Sequence, residues 1–155
     1  MNWDVLGAIG ETIESVAVFA TLVYLAVQIR QNTAALKASS HHAITDSFNA
    51  INVKIIEDPA TARLWRLGPA DQSLLDEDEQ AQYAFLMLAY MRIFETLFYQ
   101  REVGTMEEKL FQTEEKTLRW SFLQPGFVEW WDENPISLST EFREYVNGLR
   151  NDAGT

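Results

Sequence analysis

Cysteine is missing from this chain, which removes disulfides, thiolate zinc sites and a cysteine nucleophile. Helix breakers are missing from its first third: neither glycine nor proline occurs between Gly10 and Pro59. Histidine is confined to His41 and His42. Adjacent helical residues point about 100° apart and cannot share a metal as an i, i+4 pair does. There is no ExxH repeat of a di-iron bundle, no glycine-rich phosphate loop and no GxSxG elbow. Basic residues are few. Lys and Arg number 12 against 23 Asp and Glu, a net charge of -11, and nucleic acid is not expected as a partner because phosphate binding needs a clustered basic surface. Neither a catalytic group nor a metal or cofactor is expected from this inventory.

What is present is apolar and helical in period. At 155 residues, with 47% hydrophobic residues and five Trp, the chain has the material for one packed domain. Its longest uncharged run is residues 15–29, within the segment VAVFATLVYLAVQIR at 16–30. The run is short of the ~20 residues of a spanning helix, but counted from Val5, with Glu11 and Glu14 included, it reaches that length. Val16, Phe19, Leu22, Val23, Ala26 and Val27 form its apolar side, continuing Val5 and Ile9. Gly7, Gly10, Glu14, Ala17, Thr21, Tyr24 and Gln28 form a small or polar stripe opposite, suited to contact with another helix. The expectation is a membrane helix. In water the same stripe is instead the solvated edge of an amphipathic helix, with Glu11 and Glu14 as first-turn acids.

Acids precede the run (Asp4, Glu11, Glu14), and Arg30 and Lys37 follow it with no acid before Asp46. The positive-inside rule then sets the N-terminus outside and the C-terminal domain in the cytoplasm, at an inner membrane. The first residues, MNWD, lack the basic start of a cleaved signal peptide, and no lipidation motif is expected from Asn2 or the terminal NDAGT.

Beyond Arg30 the helix is expected to continue. Ile44, Phe48, Ile51 and Ile55 recur at helical spacing, with a possible break at residues 39–42. Asp58 and Pro59 stop this helix and cap the next, which runs to Gly68-Pro69. Ser73 is expected to cap a helix over 74–103. Tyr83, Leu86, Tyr90, Ile93, Leu97 and Arg101 form one seam of it, and Met87, Met91, Phe94 and Phe98 a second, as in the centre of a bundle. Gly104 closes it. Thr105 to Glu108 form a capping-box pattern opening a helix that carries Met106, Leu110, Phe111, Leu118 and Phe122, with Glu107, Glu108, Glu114, Glu115 and Lys116 outside. Pro125-Gly126 breaks it. Phe127, Val128, Trp130 and Trp131 then make a short aromatic helix, and Ser137 or Ser139 caps the last, with Phe142, Tyr145, Val146 and Leu149 inside. The fold class is all-α, a long N-terminal helix read as transmembrane followed by a small bundle. The divisions expected are 1–30 membrane helix, 31–58 helical extension, 59–150 bundle and 151–155 frayed tail.

The segments LVYLAVQIRQNTAALKASS, YMRIFETLFYQREVG, QPGFVEWWDENP and STEFREYV together resemble a group of small, uncharacterised bacterial proteins. Those proteins share an N-terminal hydrophobic helix ending in a YLAVQIRQN-like motif, and a helical domain with an RxFE segment and a Trp pair. The likeness covers most of the chain. Its motif positions are Arg92, Glu95, Tyr99, Gln100, Trp130 and Trp131. The resemblance implies membrane anchoring and brings no activity with it.

Two constellations remain. Arg92, Glu95 and Tyr99 lie along one side of a helix and make a candidate buried polar site, with Arg92 reading an anion; a structural Arg92–Glu95 pair is the plainer reading. Trp130 and Trp131 suit an aromatic ligand, a seat on the membrane surface or, more simply, the cap of a core. The function expected is a membrane-anchored, self-associating helical interaction or scaffold protein, with the bilayer and a second copy or another membrane protein as partners. Two alternatives stand beside it: an oligomeric ion- or proton-conducting element with Glu14 in the pore, and a soluble all-α ligand-binding protein or enzyme.

Overall fold

The computed structural model describes residues 3–134 and 138–153, with side chains described at 14, 16–134 and 138–151. Six α-helices and one 3₁₀ turn account for the fold, and the described residues contain no strand. The helices are α1 (Trp3–Glu57), α2 (Pro59–Leu67), α3 (Glu77–Glu102), α4 (Glu108–Ser121), α5 (Pro125–Glu133) and α6 (Thr140–Ala153). The all-α expectation holds. By packing, the chain divides into Met1–Ala38 and Ser39–Thr155.

In the first unit two threonine hydroxyls of α1 share carbonyls of their own helix. Thr21 Oγ1 and Thr33 Oγ1 each donate to the carbonyl four residues back, Ala17 at 2.8 Å and Ile29 at 2.9 Å. With no glycine or proline between Gly10 and Pro59, α1 runs through residues 39–42 without interruption.

The second unit holds the core. Ile44 is buried and Phe48 and Ile51 pack beside it, as their spacing required. Phe48 meets Tyr90 and Phe94 edge to face. α3 packs against α2, α4 and α5, and α4 against α6. Both seams of α3 are therefore covered: Tyr83, Met87, Tyr90, Met91, Ile93, Phe94 and Leu97 are all buried. Trp130 and Trp131 are buried as well, and Trp131 Nε1 donates to Asn147 Oδ1 at 3.0 Å.

The caps explain where elements begin and end. Asp58 accepts from the Ala60 N–H and Thr61 Oγ1, with Pro59 in the first turn of α2. α3 begins three residues later than Ser73 suggested. Asp76 and Glu79 form a reciprocal capping box, while Ser73 belongs to a 3₁₀ turn capped by Asp71. Gly104 closes α3 with φ 76°, a conformation strained for any other residue. The capping box expected at Thr105 does not form. Its hydroxyl donates back to Gln100 O, and Glu108 instead pairs with Arg101. Pro125 sits in the first turn of α5. α6 runs to Ala153, into the stretch expected to fray; Pro135, Ser137, Gly154 and Thr155 lie outside the described residues.

Two glycines set the approach of α5 to the turn after α2. A Cβ on Gly126 would lie 2.0 Å from the Gly68 carbonyl oxygen, and one on Gly68 would lie 2.4 Å from the Tyr83 ring. The contact lets the Gly126 N–H donate to Pro69 O at 2.8 Å, and Gln72 Nε2 donate to Gly126 O at 3.1 Å.

Candidate functional site

Along α1 the large apolar residues from Val16 to Ile29 are exposed. Phe19 is 70% exposed, Val16 64% and Leu22 59%; Val23 and Val27 are also exposed. Ala26 is exposed too, as are Glu14, Ala17, Thr21 and Tyr24 of the small-residue stripe. Gln28 is half-buried, and its Nε2 donates to Tyr24 Oη at 3.3 Å. Gly7 and Gly10, with Val5, Ile9 and Glu11, fall where side chains lie outside the described residues. Among the described residues no helix is long and apolar enough to cross a membrane, so the spanning helix expected from the sequence has no support from the fold.

Arg92, Glu95 and Tyr99 do not form an enclosed site. Arg92 and Tyr99 are exposed and Glu95 is half-buried. They line an open groove of about 630 Å³ with Phe98, Glu102 and Glu141. Glu95 is fully engaged: Oε2 accepts from Arg92 Nη1 at 2.6 Å and Oε1 from the Ser139 N–H at 2.6 Å. Burial acts to raise the Glu95 carboxyl, but the Ser139 donors and Arg92 outweigh it and hold it below the usual carboxylate value. This arrangement pins the start of α6 to α3. Three acids against one arginine make the groove a poor anion site. Tyr99 takes no part in the pairing.

His41 and His42 are exposed with rings 6.1 Å apart, and no group of metal-binding side chains occurs among the described residues.

Sequence reasoning missed a third place. Two adjoining hollows, of about 440 and 140 Å³, share Trp65, Tyr90 and Trp120 as walls. Trp65 and Tyr90 meet at 81°, 5.2 Å between ring centres, and Trp120 is 60% exposed. Phe48, Asn49, Asn52, Thr117 and Glu114 complete the larger hollow. Glu114, expected on the outer face of α4, is half-buried instead. Burial raises its carboxyl above the ordinary range, and only the charge of His41 opposes this. Four aromatic residues on α1, α2, α3 and α4 converge here from positions far apart in sequence. No local pattern announces them, since Trp120 and Glu114 each read as one more residue of an amphipathic helix.

Compared with protein-family models, curated proteins and solved structures, the chain matches none.

Proposed function

We propose that this chain is a membrane-anchored helical interaction module whose first helix enters the bilayer and self-associates there. The observation that carries the reading is the bare apolar surface at residues 16–29. At about 100° per residue, Val16, Val18, Phe19, Leu22, Val23, Leu25, Val27 and Ile29 spread over roughly 200° of the helix circumference. A two-helix seam covers a much narrower stripe, so one protein partner would leave most of these side chains wet; lipid covers all of them. Residues 16–29 rise about 21 Å, whereas residues 5–29, helical throughout, rise about 37 Å against a hydrocarbon core of ~30 Å. The stripe of Glu14, Ala17, Thr21, Tyr24 and Gln28, continued by Gly7 and Gly10, is the contact proposed between copies.

The test is fractionation of the full chain expressed without detergent. It should stay with membranes through high-salt and alkaline washing. Leu22→Asp with Val23→Asp should release it, each aspartate costing about 3 kcal/mol of insertion near a helix centre. Cross-linking in membranes should give oligomers that Ala17→Leu diminishes. Wild-type chain found wholly in the supernatant ends the reading, and with it the conducting alternative built on Glu14.

A further inference from the structure

We propose that the hollow walled by Phe48, Trp65, Tyr90 and Trp120, with Glu114 at its side, binds a small organic cation of the alkylated-ammonium class. Three observations converge on that chemistry. The first is the wall. Electron-rich ring faces attract cations whose charge is spread over methyl groups, and such ions shed water cheaply. The Trp65 and Tyr90 rings meet edge to face, and the larger hollow opens beside them, with the exposed Trp120 ring on its wall.

The second is the charge. Glu114 is the only charged residue lining the larger hollow; the others are aromatic, aliphatic or neutral and polar (Thr45, Asn49, Asn52 and Thr117 among them). Arg66 lines only the smaller lobe, beside Gln124 and Ser121. A cation entering the larger one meets a carboxylate and no competing lysine or arginine, on a chain whose net charge of -11 favours its approach.

The third is that Glu114 has no bonding partner among the described residues. The other half-buried or bridging glutamates are committed: Glu79 to Arg63, Glu95 to Arg92 and Ser139, Glu108 to Arg101, Glu115 to Arg119 and Tyr145. Glu114 makes no hydrogen bond or ion pair with any described residue, although desolvation works against its charge. His41, exposed on α1, acts on it through space only. A carboxylate held unpaired against aromatic walls is an arrangement that a bound cation would complete.

The test uses the full chain in maltoside micelles, free of choline headgroups, with indole N–H resonances followed by NMR. Choline is the probe, and its neutral tert-butyl analogue the control for plain apolar binding. Choline should shift Trp65 and Trp120 saturably, with the analogue about tenfold weaker or more. Glu114→Gln should weaken choline by about tenfold and leave the analogue unchanged. The Trp131 indole, bonded to Asn147, reports that the variant is folded. Should Glu114→Gln not fold, Trp120→Ala removes an exposed ring and should weaken choline to a similar degree. Equal affinity for choline and its analogue overturns the proposal, as does choline binding that neither variant alters or an absence of shifts at Trp65 and Trp120. Repeating the spectra in phosphatidylcholine and phosphatidylglycerol nanodiscs separates sources. The same shifts in the former without added choline assign the site to a lipid headgroup, and their absence assigns it to a free solute.

Discussion

Gly126→Ala is the substitution on which the packing of α5 is most exposed to refutation. The added carbon would stand 2.0 Å from the Gly68 carbonyl oxygen and 3.1 Å from that of Pro69. Both obstacles are backbone, so no side chain can swing aside. To relieve the contact α5 must withdraw by more than an ångström, enough to break three hydrogen bonds: Gly126 N–H to Pro69 O, Phe127 N–H to Pro69 O, and Gln72 Nε2 to Gly126 O. At about 1 kcal/mol net for each, with a further 1–3 kcal/mol of overpacking strain, the cost is about 4–6 kcal/mol. That is a large share of the 5–15 kcal/mol typical of a domain. Gly148→Ala is the control, because a Cβ there meets nothing within 4 Å and the position is helical. It should stabilise by about 0.5–1 kcal/mol. Denaturant unfolding followed by tryptophan fluorescence measures both. A Gly126→Ala chain within 1 kcal/mol of wild type would mean that the close approach of α5 to the Gly68-Pro69 turn does not exist.

Arg143→Met keeps the aliphatic stem but loses donors to Asn134 O and Trp131 O and the stacking of the guanidinium 4.1 Å above Trp131; unfolding should show a loss of about 2–3 kcal/mol. Glu95→Gln addresses acid stability. The folded-state carboxyl lies below its ordinary 4.5, so its contribution is complete above that value and is lost as pH falls through the folded pKa. Wild type should therefore lose more melting temperature than Glu95→Gln on acidification below about pH 4.5, and parallel curves would deny Glu95 its role in fastening Ser139.

Most helices were legible because their signals are local. Asp58-Pro59, Gly104 and Pro125 act on residues within one turn, and the alternating seams of α3 carry their period in the chain itself. Where two local signals competed, geometry chose: Asp76 with Glu79 displaced Ser73, and Arg101 drew Glu108 away from Thr105. The 200° apolar arc of α1 was readable as a surface, whereas its length against a bilayer was not decided by composition alone. The aromatic hollow was illegible. Phe48, Trp65, Tyr90, Glu114 and Trp120 meet only through tertiary packing, and one sequence without a period to follow offers no means of pairing them. Arg92, Glu95 and Tyr99 show the reverse error. Helical spacing put them on one side, but burial, which spacing does not determine, left Arg92 and Tyr99 in solvent.

Helix α5 has nine residues, too few to persist alone in water. Two of its end carbonyls are satisfied from outside its own ladder: Trp130 O by the Asn134 side chain, and Trp131 O by Arg143. Arg143 is a residue of α6, so α5 lacks its full set of end bonds until α6 is in place. The aromatic segment is therefore completed only when α6 docks on it, through Arg143 and through Asn147 on the Trp131 indole. A chain truncated just before Arg143 would lack that donor and leave Trp131 open to chaperones and to other chains.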